Sequence, residues 1–197
     1  MNCPSCDQVE MTVTELDQGL KASVCGRCRG HWIASDDYQS WLARHGEPLP
    51  ERDDGGATTT KATEDQQARL CPACQVIMLK WQVGHGLAFK IDRCGSCGGI
   101  WLEEDEWDAL KAKNLHDEIH RVFSSAWQSD ERRAQMRAKL EAVYRKRFAG
   151  DYERVESFRE WLGDQENRAQ ILAYIQESDP CNLQSRPTER DEIEREA

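Results

Sequence analysis

Two small cysteine-clasped ribbons in tandem, followed by an α-helical region, make up the fold class that three features of the sequence predict. Cys-x-x-Cys pairs occur as two copies of one pattern: Cys3-Pro4-Ser5-Cys6 with Cys25-Gly26-Arg27-Cys28, then Cys71-Pro72-Ala73-Cys74 with Cys94-Gly95-Ser96-Cys97. Past Asn114 the apolar residues take up helical spacing. Charged residues make up 31% of the 197 and hydrophobic ones only 39%, which suits small modules and exposed helices better than one large core.

The first copy spans residues 1–46 and the second 66–113. Structural zinc prefers four tetrahedral ligands, and two Cys-x-x-Cys turns meeting across a loop supply four thiolates. Proline after the first cysteine of the leading pair presets its turn, and glycine near the second pair permits the tight knuckle. The 18 or 19 residues between pairs suit a β-hairpin, with turn signals at Asp17-Gln18-Gly19 and Gly84-His85-Gly86. Zinc-stabilised modules are therefore expected, with one ion on Cys3, Cys6, Cys25 and Cys28 and a second on Cys71, Cys74, Cys94 and Cys97. Iron fits the same tetrathiolate set. A thioredoxin-like dithiol needs a larger α/β domain than either copy has room for, and disulfides need an oxidising compartment.

The stretch "CPACQ…DRCGSCGGIWLEEDEW" resembles the bacterial TFIIB-type zinc-ribbon family, whose usual ending is C-x-x-C-G-G-x-W-L-D-x-G-E-L. Cys97, Gly98, Gly99, Trp101, Leu102 and Glu106 fall on that pattern; Glu103, Asp105 and Trp107 replace its Asp, Gly and Leu. The first copy keeps its four cysteines, Gly30 and Trp32, but has Arg29 and Ile33 where the family has Gly and Leu. The resemblance covers under half the chain. It implies zinc binding, and transcription only weakly.

After each knuckle the chain turns into a helix. Four consecutive acids, Glu103 to Glu106, are placed in the first turn of the second one, where the helix dipole favours negative charge. Ser35 is the expected N-cap of the first. Trp32 and Trp101 are expected to form the small core of their own ribbon, packed against its hairpin. A module of about 45 residues cannot bury every large ring it carries. Trp41 and Trp107 are accordingly expected on the surface, as anchors for a protein partner.

Residues 47–65 carry six acids against two bases, with Pro, Gly and Thr clusters and no apolar period, and read as a flexible acidic linker. The helical region spans 114–179, and a polar tail, 180–197, holds the unpaired Cys181. "HDEIH" imitates a zinc-protease box, with His116 and His120 one turn apart, but position 117 is Asp where the general base should be Glu. His31, His45 and His85 have no partner pattern.

Residues 132–147 hold seven bases and one acid, and Arg132, Lys139 and Lys146 share a helix face at seven-residue spacing. That face is a candidate partner-binding or phosphate-binding surface. The bland alternative is a solvated helix whose bases pair with Glu153, Glu156 and Glu160. A formal charge of −10 disfavours general nucleic-acid binding. There is no apolar run long enough for a membrane span, and no basic, apolar start of a secretory signal, so the expected compartment is the cytoplasm. No Ser-His-Asp, P-loop or dinucleotide motif is present. The sequence therefore predicts a zinc-binding, non-enzymatic adaptor that docks onto protein partners through its ribbons and helices. The competing reading is a transcription-associated or nucleic-acid-binding factor using the basic helix with a ribbon; a thiol oxidoreductase ranks behind both.

Overall fold

The computed structural model describes residues 1–6, 8–45, 49–52 and 67–177. Most of the expected linker, and the tail with Cys181, lie outside these. The chain divides into two compact units, Met1–Met136 and a second that begins at Arg137.

In the first unit each cysteine copy builds a hairpin, a third short strand and a helix. Copy one supplies β1 (Thr12–Asp17), β2 (Leu20–Val24), β3 (His31–Ile33) and α1 (Ser35–His45). Copy two supplies β4 (Met78–Gly84), β5 (Leu87–Cys94), β6 (Ile100–Leu102) and α2 (Glu106–Ala112). The β4–β5 loop is the two residues His85 and Gly86, both at positive φ (54° and 84°), as a type I′ turn requires.

The ribbons do not stand apart as two modules. They share one six-stranded sheet in the order β1-β2-β3-β6-β5-β4, closed at the centre by the antiparallel β3–β6 pair. Its register is His31 opposite Leu102, Trp32 opposite Trp101 and Ile33 opposite Ile100. Because Trp32 and Trp101 are equivalent positions of the repeat, the sheet has an approximate twofold axis between them. A lone ribbon would leave β3 or β6 as a bare edge with unpaired N–H and C=O groups. Pairing the two copies removes both edges at once.

Strand alternation sorts the side chains onto two faces. One face gathers Trp32, Trp101, Met11 and Met78 around the buried cysteines. The other packs Ile33, Ile100, Leu102, Leu87, Phe89 and Ile91 beneath the helices. Trp41 of α1 and Trp107 of α2 lie in this second core, 1% and 3% exposed, with ring centroids 5.8 Å apart. The expectation that they are surface anchors is corrected. Fusion of the copies creates a larger core than either has alone, and the two rings meet inside it.

The core extends into the region read as separately helical. Leu115, then Ile119 and Val122 of the short α3 (Ile119–Val122), are fully buried in it. Leu49–Arg52, within the segment read as linker, are tied down by hydrogen bonds from Leu49 N to Asp117 Oδ2 (3.3 Å), Asn114 Nδ2 to Pro50 O (2.8 Å) and Arg52 N to Lys113 O (3.1 Å).

Helix α4 (Ser125–Phe148) begins in the first unit, where Trp127 Nε1 donates to Val83 O at 2.8 Å. A 3-10 turn, Ala149–Asp151, leads to α5 (Tyr152–Gly163) and then α6 (Arg168–Glu177). Burial differs sharply here. From Arg137 to Gln176, Tyr152 is the one buried side chain among the described residues.

Candidate metal centre

Each clasp is built from two backbone turns that aim sulfur inward. In the leading turns Cys3 N donates to Val9 O and Cys71 N to Val76 O, both at 2.8 Å. In the second knuckles Cys25 N donates to Gly30 O (3.0 Å) and Cys94 N to Gly99 O (2.9 Å), while Arg29 N and Gly98 N return to Cys25 O and Cys94 O. That return needs positive φ, and Gly98 adopts 72°. Arg29, standing where glycine is usual, takes 56° regardless.

The sulfurs converge in two quartets, Cys3, Cys6, Cys25, Cys28 and Cys71, Cys74, Cys94, Cys97, with all ligand atoms of a quartet within 4.8 Å of one another. Close approaches are Cys3 to Cys28 and Cys71 to Cys97 at 3.6 Å, and Cys74 to Cys71 and to Cys94 at 3.3 Å. A tetrahedron with Zn–S of about 2.3 Å sets sulfurs roughly 3.8 Å apart, so these spacings suit one ion and are far from the ~2.05 Å of a disulfide. Backbone N–H groups of Ser5 and Cys6 point at Cys3 Sγ (3.4 and 3.3 Å), and those of Ser96 and Cys97 at Cys94 Sγ (3.4 and 3.5 Å). They offset part of the negative charge that bound thiolates carry.

Thiol acidity gives the same answer by another route. Burial pushes Cys71 up to about 12 and also raises Cys3, Cys28 and Cys97. For Cys25 and Cys94 burial acts the same way, but hydrogen bonds from knuckle N–H groups and neighbouring thiols outweigh it, bringing them to about 7 and about 6. A divalent ion would supply the charge that lets four thiolates converge on one point.

The two clasps are interlocked. An added Cβ on Gly99, beside clasp two, would lie 2.2 Å from Trp32 Cζ2; one on Gly30, beside clasp one, would lie 2.2 Å from Trp101 Cζ2. Each indole thus covers the knuckle of the other copy, whereas the sequence placed it against its own hairpin. A second tie runs through Arg69, which is 5% exposed. Its Nε donates to Ser5 Oγ in clasp one (2.7 Å), Nη1 to Asp92 Oδ2 (2.8 Å) and Nη2 to Glu103 Oε1 (2.6 Å); Lys80 Nζ also reaches Asp92, at 3.2 Å. Arg29 pairs with Glu104 across the copies. Sequence reasoning missed this network, since a lone Arg69 in a polar chain carries no motif.

The acids expected in one helical turn divide their roles. Helix α2 begins at Glu106, whose Oε2 accepts the Glu103 N–H at 2.8 Å in the manner of a capping box. Glu106 is 2% exposed, and burial raises its pKa to about 8. His116 is buried against Trp41, Trp107 and His45, while His120 is exposed. Arg132, Lys139 and Lys146 are exposed along α4.

These features define a protein whose two tetrathiolate zinc ribbons are fused through one sheet. The regions 2–44 and 70–113 both match the family described as transcription factor zinc-finger, the TFIIB-type zinc ribbon, so the repeat consists of two tandem ribbons of that type holding two zinc ions. No curated protein and no solved structure matches the chain. No helix among the described residues is long and apolar enough to cross a membrane.

Proposed function

We propose that the protein is a non-enzymatic docking adaptor: the fused ribbons are a zinc-clasped base, and the helical region beyond them is the surface that engages a protein partner. The observation that carries this is the apolar side chains left open there. On α4, Met136, Leu140, Val143, Tyr144 and Phe148 are exposed at near-helical spacing, and Val155, Phe158 and Trp161 form a second row on α5. Rows of this kind mark interaction sites. The ribbons also expose apolar side chains, among them Val13, Leu70, Val76, Ile77 and Leu79, but four of their five indoles, Trp32, Trp41, Trp101 and Trp107, are buried in their own cores. Zinc here is structural: every clasp position is a cysteine of the chain, as in closed sites.

A photo-crosslinking residue placed at Phe158 or Trp161, in the cells that make the protein, tests the reading. Specific protein crosslinks are expected. Crosslinks to nucleic acid alone, or none at either position, would refute it.

One observation favours the nucleic-acid alternative. Among the described residues, Arg132, Arg137, Lys139, Lys146 and Arg147 have no acid within ion-pair distance, and the pairing expected with Glu153, Glu156 and Glu160 is not made. Phosphates could occupy such a face. The interleaved Leu140, Val143 and Phe148 fit a protein surface better, and retention on DNA or RNA at low salt separates the two.

A further inference from the structure

We infer that the helical region's first partner is a second copy of this chain, with basic α4 of one protomer lying against acidic α5 of the other. This rests on the docking reading above and names its partner.

Charge complementarity carries the argument. Helix α4, residues 125–148, holds seven bases and three acids, whereas residues 151–166 hold six acids and two bases. Each segment also displays an apolar row: Leu140, Val143 and Phe148 are 48%, 48% and 37% exposed, and Val155, Phe158 and Trp161 are 40%, 42% and 49% exposed. Within one chain the two segments touch mainly through polar groups. Tyr152 Oη donates to Glu141, Arg159 lies 3.7 Å from Glu141, and the Arg145 guanidinium sits 4.3 Å from the Tyr152 ring centre. Those contacts leave both apolar rows open.

A twofold dimer satisfies everything at once. An isologous interface presents the same two patches from each protomer, so the basic–acidic match occurs twice and both rows are buried twice. Lys139, Lys146 and Arg147 can meet Glu153 and Glu160 of the other copy, since none of these five makes an ion pair with another described residue. An unrelated partner would need an acidic apolar helix of its own. This chain already carries one.

The test is sedimentation equilibrium of the full-length, zinc-loaded protein across concentration and salt. A reversible dimer is expected, weakening as salt rises. The K139E/K146E/R147E variant should raise the dissociation constant at least about tenfold, and E153K/E160K should do the same. Mixing the two variants should restore association as a heterodimer, which also controls for folding. A monomer at all concentrations up to roughly 100 µM overturns the inference, as does a dimer whose affinity neither charge set changes. If the chain is monomeric, crosslinking at Phe158 to another protein leaves the docking reading standing. Retention on nucleic acid with no protein crosslink removes both.

Discussion

Gly99→Ala isolates the interlock between the ribbons in a single change. Gly99 does not use the left-handed backbone region, so alanine carries no conformational penalty there. Its Cβ would, however, sit 2.2 Å from Trp32 Cζ2 and 2.4 Å from Cη2, against roughly 3.5–4.0 Å for ordinary carbon contacts. Trp32 is only 3% exposed and has nowhere to retreat without opening the β3–β6 seam. Full ejection of an indole that buries about 150–250 Å² would cost about 4–6 kcal/mol at ~25 cal/mol per Å². Overpacking that the core absorbs costs about 1–3 kcal/mol. The expected loss lies between these bounds, at about 2–4 kcal/mol. Denaturant unfolding of the zinc-loaded protein reads it, in a cycle with Trp32→Ala. If the indole is the obstacle, Gly99→Ala should cost less than about 0.5 kcal/mol once Trp32 is gone. Equal costs in both backgrounds would refute the cross-ribbon contact.

Replacing Cys71 and Cys74 together by serine should eliminate the second zinc and weaken the first site at least about tenfold, because Trp101 and β6 support clasp one; competition titration with a chromogenic chelator reads this, and an unchanged first site would disprove the coupling. Arg69→Met should destabilise by about 3 kcal/mol, as it leaves the buried Asp92 paired, among the described residues, with Lys80 alone; a loss below about 1 kcal/mol in urea unfolding would mean the network is not structural. Glu106 has a folded pKa of about 8, above its unfolded value, so the folded state holds a proton that the unfolded state has released between those limits. Stability should therefore fall as pH rises from near 5 to about 8, and Glu106→Gln should flatten that slope; parallel profiles for the two proteins would sink the assignment. Trp41→Ala should cost about 3–5 kcal/mol, as for any fully buried aromatic, and leave self-association unchanged once folding is allowed for.

The sequence was most legible where the causes are local. All eight clasp cysteines, both hairpins and the helix after each knuckle follow from spacings of at most 26 residues, and a Cys-x-x-Cys turn needs only its own backbone to aim its sulfurs. The β3–β6 seam has no such signature. It joins strands of three residues, 69 positions apart in the chain, and its stabilisation comes from packing that exists only after both clasps have formed. Arg69 was invisible for the same reason, since Ser5, Asp92 and Glu103 become its neighbours only through that seam.

Trp41 and Trp107 are buried where the surplus of a single ribbon predicts exposure, for a reason that extends to the rest of the chain. A single ribbon does carry more aromatic surface than it can bury, so the surplus itself was real. Its destination was the other ribbon, since two copies of one module carry matching surpluses and the antiparallel seam brings them face to face. An exposed apolar surplus should thus be tested first against the chain's own copies and only then against outside partners. In the first unit the duplicated sequence supplies that copy internally. The apolar rows of α4 and α5 have no duplicate within the described residues, and they remain open after the ribbons have buried Trp32, Trp41, Trp101 and Trp107. What the ribbons achieve by repetition within one chain, the inferred dimer would achieve for these helices between chains, with their opposite charges as the pairing rule.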